Sequence, residues 1–408
     1  MIVDIINKKR LGLELSYEEL DFFFNGYLKG KVKDYQMSSL LMAICINGMT
    51  DDEIFTLTKI FIDSGDVLDF SEIPGIKVDK HSTGGVGDKT TLIIAPIVAS
   101  LGIPVVKMSG RGLGYTGGTI DKLESIKGFN IALSDNQVFN QVKKIGVVVT
   151  GQTADLAPMD KAIYALRDVT GTVSSIPLIA SSIMSKKIAA GADKILIDIK
   201  VGNGALLQKK SDANKLSELM KKIGKFYNRE VRTIISDMNV PLGHAIGNSI
   251  EVMEAIKVLK GEETNNNLVD LCIELATEMV SMGKNIDRAV AYDEVVDSIK
   301  SGKAYNKFLE LVKAQGGKID SLRLSDDVIE IRATEVGIVR KIDALVLGKL
   351  SVKLGAGRVN KGDKIDYNVG IYLNKLVGDT VKKGDLLATI YVNQNVKLDE
   401  FDKIFTIK

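Results

Sequence analysis

Two glycine-rich segments of this chain carry side chains suited to binding an anion. The first reads Lys-His-Ser-Thr-Gly-Gly-Val-Gly-Asp-Lys-Thr-Thr over residues 80–91. Its glycines let main-chain N–H groups approach an anion closely, while Lys80, Ser82 and Thr91 offer charge and hydroxyl groups. A helix that starts at the end of such a loop adds unpaired N–H groups, which favour phosphate. The pattern predicts a phosphate site; the alternative is a tight turn with an incidental lysine.

The second segment reads Lys-Met-Ser-Gly-Arg-Gly-Leu-Gly-Tyr-Thr-Gly-Gly-Thr over residues 107–119. Nucleotide-binding patterns match these segments poorly. The stretch Gly112–Gly117 fits GxGxxG, but its first glycine lies four residues after Met108 instead of directly after the strand. Residues 84–90 have Gly-Asp-Lys where a nucleotide P-loop requires Gly-Lys-Ser/Thr. Two anion-binding segments at neighbouring strand ends therefore favour a shared phosphate site.

A third group of polar residues follows in the middle of the chain. It comprises Tyr-Ala-Leu-Arg-Asp at residues 164–168 and Ala-Ser-Ser-Ile-Met-Ser-Lys-Lys at residues 180–187. In a helix, Ser182 and Lys186 lie on one face because they are four residues apart. With Arg167 they form a set that suits the carbonyl oxygens of a planar ligand. A solvated, charged helix end is an equally open interpretation of this spacing.

Histidine and cysteine usage narrows the chemistry further. His81, inside the first glycine-rich segment, is the candidate proton donor, since imidazole titrates near neutral pH. His244, in Pro-Leu-Gly-His-Ala-Ile-Gly, is assigned a structural role. Cys45 and Cys272 are far apart in apolar surroundings and are predicted to be reduced core residues. Zinc-ligand spacing and a GxSxG nucleophile motif are both absent from the sequence, which argues against covalent serine catalysis.

The elements that position these residues begin with helices. Over residues 1–65, a capping-box pattern at Ser16 and Glu19 precedes an apolar helical face, and further helices are predicted at residues 37–46 and from Asp51. From about residue 75 the pattern changes to strands followed by loops and helices. Alternation of this kind predicts a mainly parallel or mixed central sheet covered on both faces.

The fold class is therefore predicted as α/β, with three parts. Residues 1–65 and 155–190 form a small all-helical domain, and residues 75–150 and 192–330 form a large α/β domain with strands at 76–80, 105–108, 147–149 and 194–199. Residues 331–408, with short β segments and Gly-Asp turns, form an α+β subdomain like a half-barrel. Residues 377–390 resemble a biotinyl half-barrel but lack Met-Lys-Met, so no biotin is expected.

Composition excludes several classes of partner. The chain has 408 residues, with 54 Lys+Arg against 52 Asp+Glu, a formal net charge of +2. This balance gives no basic field for nucleic acid or an anionic membrane. The first residues lack the order of a secretion signal, and the longest uncharged runs are interrupted by proline and glycine. A cytoplasmic protein is expected.

Together the motifs resemble those of the pyrimidine-nucleoside and thymidine phosphorylases, and the likeness extends over essentially the whole chain. The matching segments are residues 80–88, 108–114, 116–124, 164–168 and 180–187. The resemblance implies reversible phosphorolysis of uridine, thymidine and deoxyuridine to free base and (2-deoxy)-α-D-ribose 1-phosphate. It also implies a homodimer formed through the helical domain, inorganic phosphate as co-substrate and no organic cofactor.

The resemblance also assigns roles to individual residues. It implies that phosphate is bound by Lys80, Ser82, Thr91, Lys107, Ser109 and Thr119. It implies that the pyrimidine is bound by Arg167, Ser182 and Lys186, with His81, Arg167 and Lys186 as the catalytic set. Finally, it implies a potassium-like cation held by main-chain oxygens of Gly87, Lys89, Leu242 and Ala245 and by the Glu254 carboxylate.

Three alternatives and two departures accompany this interpretation. The activity could be restricted to 2′-deoxynucleosides, as in thymidine phosphorylase, since the contacts to the sugar 2′ position are not evident from the sequence. An anthranilate phosphoribosyltransferase should have an adjacent acidic pair, which neither glycine-rich segment carries. A non-enzymatic nucleoside-binding role would make Lys80 and His81 dispensable. The departures are Tyr115, where relatives have histidine, and Leu206, where relatives have an aromatic residue.

Overall fold

The computed structural model describes residues 1–112, 114–115, 117–151, 156–360, 362–393 and 403–408. Thus Thr116 and Asp155, which belong to predicted segments, lie outside the described residues. The elements in chain order are α1 (Ile2–Arg10), α2 (Tyr17–Leu28), α3 (Asp34–Asn47), α4 (Asp51–Asp63), β1 (Val78–Ser82), α5 (Thr90–Ser100), β2 (Val105–Ser109), α6 (Thr119–Glu124), α7 (Asp135–Ile145), β3 (Val147–Gly151), α8 (Pro158–Asp168), α9 (Ile176–Ala189), β4 (Lys194–Val201), α10 (Lys210–Phe226), β5 (Glu230–Asp237), β6 (Ala245–Gly247), α11 (Ser249–Leu259), α12 (Asn267–Lys284), α13 (Arg288–Lys300), α14 (Lys303–Ala314), β7 (Val328–Arg332), β8 (Gly337–Ile342), α15 (Ala344–Lys353), β9 (Gly370–Leu373), β10 (Thr380–Val381), β11 (Leu386–Tyr391) and β12 (Phe405–Ile407).

The chain divides into two compact units. The helical unit comprises Met1–Glu72, Thr153–Ile195 and Lys210–Thr233, and the α/β unit comprises Ile73–Gln152, Leu196–Lys209 and Ile234–Lys408. The predicted fold class, with helical, α/β and C-terminal α+β parts, is confirmed. In the described part of the chain, no helix is long and apolar enough to cross a membrane.

Helix caps and an apolar core organise the helical unit. The capping box predicted at Ser16 is present, and Thr50 forms a second one at the start of α4. Apolar faces of α1 to α4 share one core with Met159, Ile163 and Leu178 of α8 and α9. The two separate chain segments therefore bury one another's apolar surface.

Helix α10 lies outside the predicted boundary of the helical domain. The sequence-based boundaries placed it in the α/β domain, but the structure assigns Lys210–Thr233 to the helical unit. Its buried residues include Ala213, Leu216, Met220 and Ile223, spaced three and four apart, and the helix packs against α9 and α4. The observed grouping differs from the sequence-based boundary because α10 follows a strand in sequence while its apolar stripe faces other helices.

In the α/β unit, the second glycine-rich segment begins in strand β2, which pairs with β3. Strands β2 and β3 are parallel, in a register from Val105↔Val147 to Ser109↔Gly151. A separate sheet has the order β1-β4-β5. Strand β5 was not predicted; its residues are mostly half-buried, so the sequence lacks the apolar run that marks β4. Both glycine-rich segments therefore follow strands, as the sequence predicts.

The C-terminal part is built from antiparallel strands. One sheet has the order β6-β9-β11-β7 and another β10-β8-β12, with α15 between β8 and β9 in the chain. Strand β6 pairs with β9 through Ala245↔Tyr372 to Gly247↔Gly370. The C-terminal strands thus fix the main chain that follows His244.

Candidate active site

Lys80 lies where the first glycine-rich segment leaves β1. Its Nζ donates a hydrogen bond to Thr90 Oγ1 at 2.6 Å and lies 3.3 Å from Asp198 Oδ2. The side chain is 1% exposed. Thr90 is the first residue of α5, so Lys80 stands beside the start of a helix whose first N–H group donates to Asp88 Oδ1 at 3.2 Å. Lys80 is therefore buried between a hydroxyl group and a carboxylate.

Asp88 holds the loop between Lys80 and α5 in shape. Its carboxylate accepts hydrogen bonds from the Ser82 hydroxyl and from the Thr90 hydroxyl and N–H. Burial alone raises the pKa of Asp88. The positive charges of Lys200 and Lys80, with these hydrogen bonds, outweigh burial and hold the pKa well below its ordinary value of 3.8. Asp88 is therefore a permanent anion near neutral pH.

Asp88→Asn is expected to lower the free energy of unfolding at pH 7 by about 3 kcal/mol, because two buried lysines lose a counter-charge. An acid whose pKa is lower in the folded than in the unfolded protein stabilises the fold at pH values above its unfolded-state pKa. This stabilisation is lost as the pH falls from the unfolded-state pKa toward the folded-state pKa. The difference between wild type and Asp88→Asn should therefore be constant from pH 8 to about pH 5 and shrink below 3.8. Thermal unfolding from pH 8 to pH 3.5 measures this. Asp63→Asn, at an exposed position, is the control and should change the free energy of unfolding by less than about 0.5 kcal/mol. A stability difference between wild type and Asp88→Asn that grows as the pH falls would contradict the lowered pKa of Asp88.

Two charged residues of β4, Asp198 and Lys200, form ion pairs with Lys80 and Asp88. Neither of them was identified from the sequence as a site residue. Lys200 Nζ lies 2.5 Å from Asp198 Oδ2, and Ser236 Oγ donates to Asp198 Oδ1 at 2.6 Å. Burial lowers the pKa of Lys200, but the charges of Asp198 and Asp88 outweigh it and raise the pKa. The signal was available: two charged residues alternate on one face of an otherwise apolar strand.

Strand β2 carries two more of the predicted phosphate residues, Lys107 and Ser109. Lys107 and Ser109 are both buried, and Lys107 Nζ lies 3.6 Å from Asp79 Oδ1 of β1. Ser109 Oγ is buried without a hydrogen-bond partner among the described residues. The Ser109 hydroxyl is therefore available to hydrogen-bond a bound ligand, and the hydroxyl groups of Ser175, Ser181 and Thr277 are unpartnered in the same way.

The loop after β2 is fixed by Asp121. Its carboxylate accepts the Gly112 N–H at 2.7 Å and Arg358 Nη1 at 2.8 Å. A Cβ added to Gly118 would lie 2.1 Å from Gly112 N, so the close approach of the two loop strands requires glycine. Thr119, the last predicted phosphate residue, begins α6 directly after this contact. Thr91 is the second residue of α5 and is buried.

Helices α8 and α9 bring the predicted base-binding residues together. Lys186 Nζ donates to Ser182 Oγ at 3.2 Å, as the four-residue spacing predicts. It also lies 2.8 Å from Asp160 Oδ2, and 5.7 Å from the centre of the Tyr164 ring. The Lys186 side chain is 22% exposed. Asp160 was not predicted, since nothing in its local sequence relates it to a lysine 26 positions later.

Arg167 has a different environment from the one expected for a free ligand-binding group. Its guanidinium donates to the main-chain oxygens of Thr172, Val173 and Leu178 at 3.3, 2.7 and 3.2 Å, and the residue is buried. Burial lowers the pKa of Arg167, opposed by the charge of Asp160. A guanidinium has five N–H groups, so three bonds leave two. Arg167 therefore anchors the α8–α9 connection as well as facing Tyr164.

The two histidines differ in setting. His81 follows Lys80 on β1 and is half-buried. His244 Nδ1 lies 2.6 Å from Leu373 O, and its ring stacks on Tyr372 with centroids 5.4 Å apart. The predicted phosphate residues and His81 belong to the α/β unit, whereas Arg167, Ser182 and Lys186 belong to the helical unit.

Three of the predicted cation ligands do come together, but they surround the side-chain ammonium group of Lys89. The main-chain oxygens of Leu242 and Ala245 and the Glu254 carboxylate surround Lys89 Nζ at 2.9, 2.8 and 2.7 Å. Gly87 O accepts the Lys89 N–H at 2.9 Å. The arrangement therefore does not fit the predicted potassium ion, because an ammonium group takes up its oxygens.

Comparison with known proteins finds family matches over three segments of the chain. Residues 3–65 match the glycosyl transferase family, helical bundle domain; residues 75–305 match the glycosyl transferase family, a/b domain; and residues 338–405 match the pyrimidine nucleoside phosphorylase C-terminal domain. The crystal structure of anthranilate phosphoribosyltransferase from Thermus thermophilus superimposes with a TM-score of 0.60 at 18% identity, covering 76% of this chain and 99% of that chain. At this identity the likeness shows the fold alone.

The matches over residues 3–65 and 75–305 place the chain in the glycosyl transferase family. The pyrimidine-nucleoside phosphorylase of Bacillus subtilis is 51% identical over 402 residues, covering 96% of this chain and 92% of the relative. That of Geobacillus stearothermophilus is 48% identical over 411 residues, covering 99% and 95%. The chain belongs to the pyrimidine-nucleoside phosphorylase family.

Proposed function

We propose that this protein catalyses the reversible phosphorolysis of uridine, thymidine and deoxyuridine to the free base and (2-deoxy)-α-D-ribose 1-phosphate. About half of its residues are identical to those of pyrimidine-nucleoside phosphorylases over nearly the full length, and this observation carries the proposal. Phosphate is the co-substrate, and the chemistry needs no organic cofactor. The 2′-deoxy-restricted activity is the second candidate.

Phosphate binding is assigned to residues of both glycine-rich segments: Lys80, Ser82, Thr91, Lys107, Ser109 and Thr119. The buried hydroxyl of Ser109 without a hydrogen-bond partner supports this assignment most directly. Lys80 and Lys200 face Asp88 and Asp198, so their charges largely cancel. The dianion would therefore depend on hydroxyl groups as much as on lysine charge.

The reaction makes one bond and breaks one. A phosphate oxygen attacks the anomeric carbon of the sugar, and the electron pair of the C–N glycosidic bond leaves with the base. Negative charge thus develops on the pyrimidine, where Arg167, Lys186 and Ser182 would stabilise it through its carbonyl oxygens. His81 would donate a proton or hydrogen bond to the base carbonyl beside the broken bond. The ion pair with Asp160 fixes the Lys186 ammonium for this role.

An ultraviolet assay of base release tests the function. Uridine, deoxyuridine and thymidine are each incubated with and without phosphate, and sugar 1-phosphate is measured separately. Base release should require phosphate and yield one sugar 1-phosphate per base. Release that ignores phosphate would indicate hydrolysis and reject the proposal. Cleavage of deoxyuridine and thymidine without uridine would favour the deoxy-restricted candidate.

Homodimer formation through the helical unit, and a cytoplasmic location, are finer parts of this proposal. Helix α3 supports the dimer, because Tyr35, Met42 and Ile46 form one exposed apolar stripe, with Ile46 75% exposed. Ile46→Lys is expected to shift the protein from dimer toward monomer, measured by light scattering after size-exclusion chromatography. Val336→Lys, at an equally exposed site of the α/β unit, should leave the mass unchanged. A wild-type monomer would refute the dimer.

A further inference from the structure

Lys89 directs its side chain into the protein, where three oxygen atoms accept its N–H groups. It lies between Asp88 and Thr90, and its side chain is 0% exposed. An ammonium group has three N–H donors and no acceptor. All three are used, by Leu242 O, Ala245 O and Glu254 Oε2 at 2.9, 2.8 and 2.7 Å. The cation is thus fully satisfied without water or ligand.

The oxygens around Lys89 Nζ form a built cation site. Main-chain carbonyl oxygens with one carboxylate are the donor set that hard cations select. The Glu254 carboxylate is fixed in turn, since it accepts the N–H groups of His244 and Ala245 at 2.6 and 2.9 Å. Strand β6, which begins at Ala245, is held by β9. The site is therefore rigid on the side opposite the lysine.

The glycine-rich segment comes unusually close to this site. Gly87 has a φ of +73°, and an added Cβ would lie 2.8 Å from Leu242 O and 3.4 Å from Ala245 O. Leu242 N donates to Val86 O at 3.2 Å, which joins the two loops directly. Lys89 adds a charged link across the same junction. Its neighbours Asp88 and Thr90 are the residues that hold Lys80.

We propose that the Lys89 ammonium is a covalently attached substitute for a monovalent cation, so that the phosphate loop is positioned without any bound ion. One positive charge already balances Glu254, and a potassium ion would bring a second charge to oxygens that already accept hydrogen bonds. Lys89 is therefore a positioning residue, acting through Asp88 and Thr90. The inference concerns the phosphate loop of the proposed function, but thermal stability tests it independently of catalysis.

The first experiment uses the wild-type protein. Its Tm and its phosphorolysis rate are measured in potassium, sodium and tetramethylammonium chloride at equal ionic strength, after dialysis against the last. Both quantities should be the same in all three salts. A Tm or rate that rises selectively and saturably with potassium would overturn the proposal. This measurement needs no variant and decides the question even if variants fail to fold.

The second experiment restores the ion. Lys89→Ala leaves Glu254 and the two carbonyl oxygens buried without a cation, and its Tm in tetramethylammonium chloride should fall by roughly 5–10 °C. The kcat/KM for phosphate of Lys89→Ala should also fall, by at least about tenfold. Added potassium should restore most of both the Tm and the kcat/KM, with a saturable dependence on its concentration. Lys89→Met fills the space of the lysine without its charge. Its Tm and its kcat/KM for phosphate should therefore be lowered, and potassium should restore neither.

A matched control comes from the helical unit. Lys9 Nζ binds the two Glu53 carboxylate oxygens at 2.8 and 2.7 Å, and Glu53 also accepts two main-chain N–H groups, from Leu15 and Thr50. Lys9→Ala therefore also removes the buried cation that pairs with a glutamate. Among the described contacts, however, Lys9 Nζ donates only to the Glu53 carboxylate and to no carbonyl oxygen. Its Tm should fall without selective recovery in potassium. If Lys89→Ala responds to potassium no more than Lys9→Ala does, the cation-site proposal is wrong.

Discussion

Replacing Arg167 by alanine is expected to lower kcat/KM for the nucleoside by about 10²–10³, the usual effect of removing one donor to a developing negative charge. Two guanidinium N–H groups remain after the three main-chain bonds, and the proposed mechanism directs them at the pyrimidine. The KM for phosphate should change little, because the phosphate residues belong to the other compact unit. Steady-state kinetics with each substrate varied in turn measures both.

The same substitution also removes a structural anchor, so activity alone is ambiguous. The carbonyl groups of Thr172, Val173 and Leu178 lose a partner, and each loss costs about 1–3 kcal/mol where water cannot replace it. Thermal unfolding therefore accompanies the kinetics, with low millimolar guanidinium chloride added to seek chemical rescue. Recovery of turnover without recovery of Tm separates catalysis from folding. A folded Arg167→Ala enzyme with wild-type kcat/KM would remove Arg167 from the base site.

Local sequence predicted the elements whose stability is local. The capping box at Ser16 and the helix at Thr90 both depend on residues within a few positions, and both are present. Strand β5 and the packing of α10 were not predicted. Their placement depends on partners far away in sequence: α10 buries its stripe against α4 and α9. Periodicity shows that a helix has an apolar face but does not show which neighbour covers it.

The same limit applies to the site. The contact between Ser182 and Lys186 follows from helical geometry, so spacing alone gave it. The pairing of Lys80 with Asp198 spans the chain from β1 to β4, and the contact of Lys89 with Glu254 spans 165 positions. Lys89 is the clearest example of a contact that local sequence does not reveal. It was predicted to contribute only its main-chain oxygen to a cation site, whereas in the structure its side chain is the cation at that site.

Lys80→Met is expected to raise the KM for phosphate by about 10–100-fold, the range for losing one charge-assisted hydrogen bond. Methionine keeps most of the volume but removes the charge. It should also lower the free energy of unfolding by about 3–5 kcal/mol, because Asp198 and Asp88 then share Lys200 alone. Nucleoside binding in the absence of phosphate, measured by calorimetry, should be unchanged. A phosphate KM equal to that of wild type would exclude Lys80 from the site.

Stability and phosphate binding are separated by restoring the charge balance. Lys80 and Lys200 face Asp88 and Asp198, so Lys80→Met leaves one uncompensated negative charge in a buried network. The double variant Lys80→Met/Asp198→Asn returns the network to one positive and one negative charge. Its Tm should recover a substantial part of the loss, while its KM for phosphate should stay raised. If KM recovers together with Tm, Lys80 acts only on the fold and the phosphate is bound by other groups.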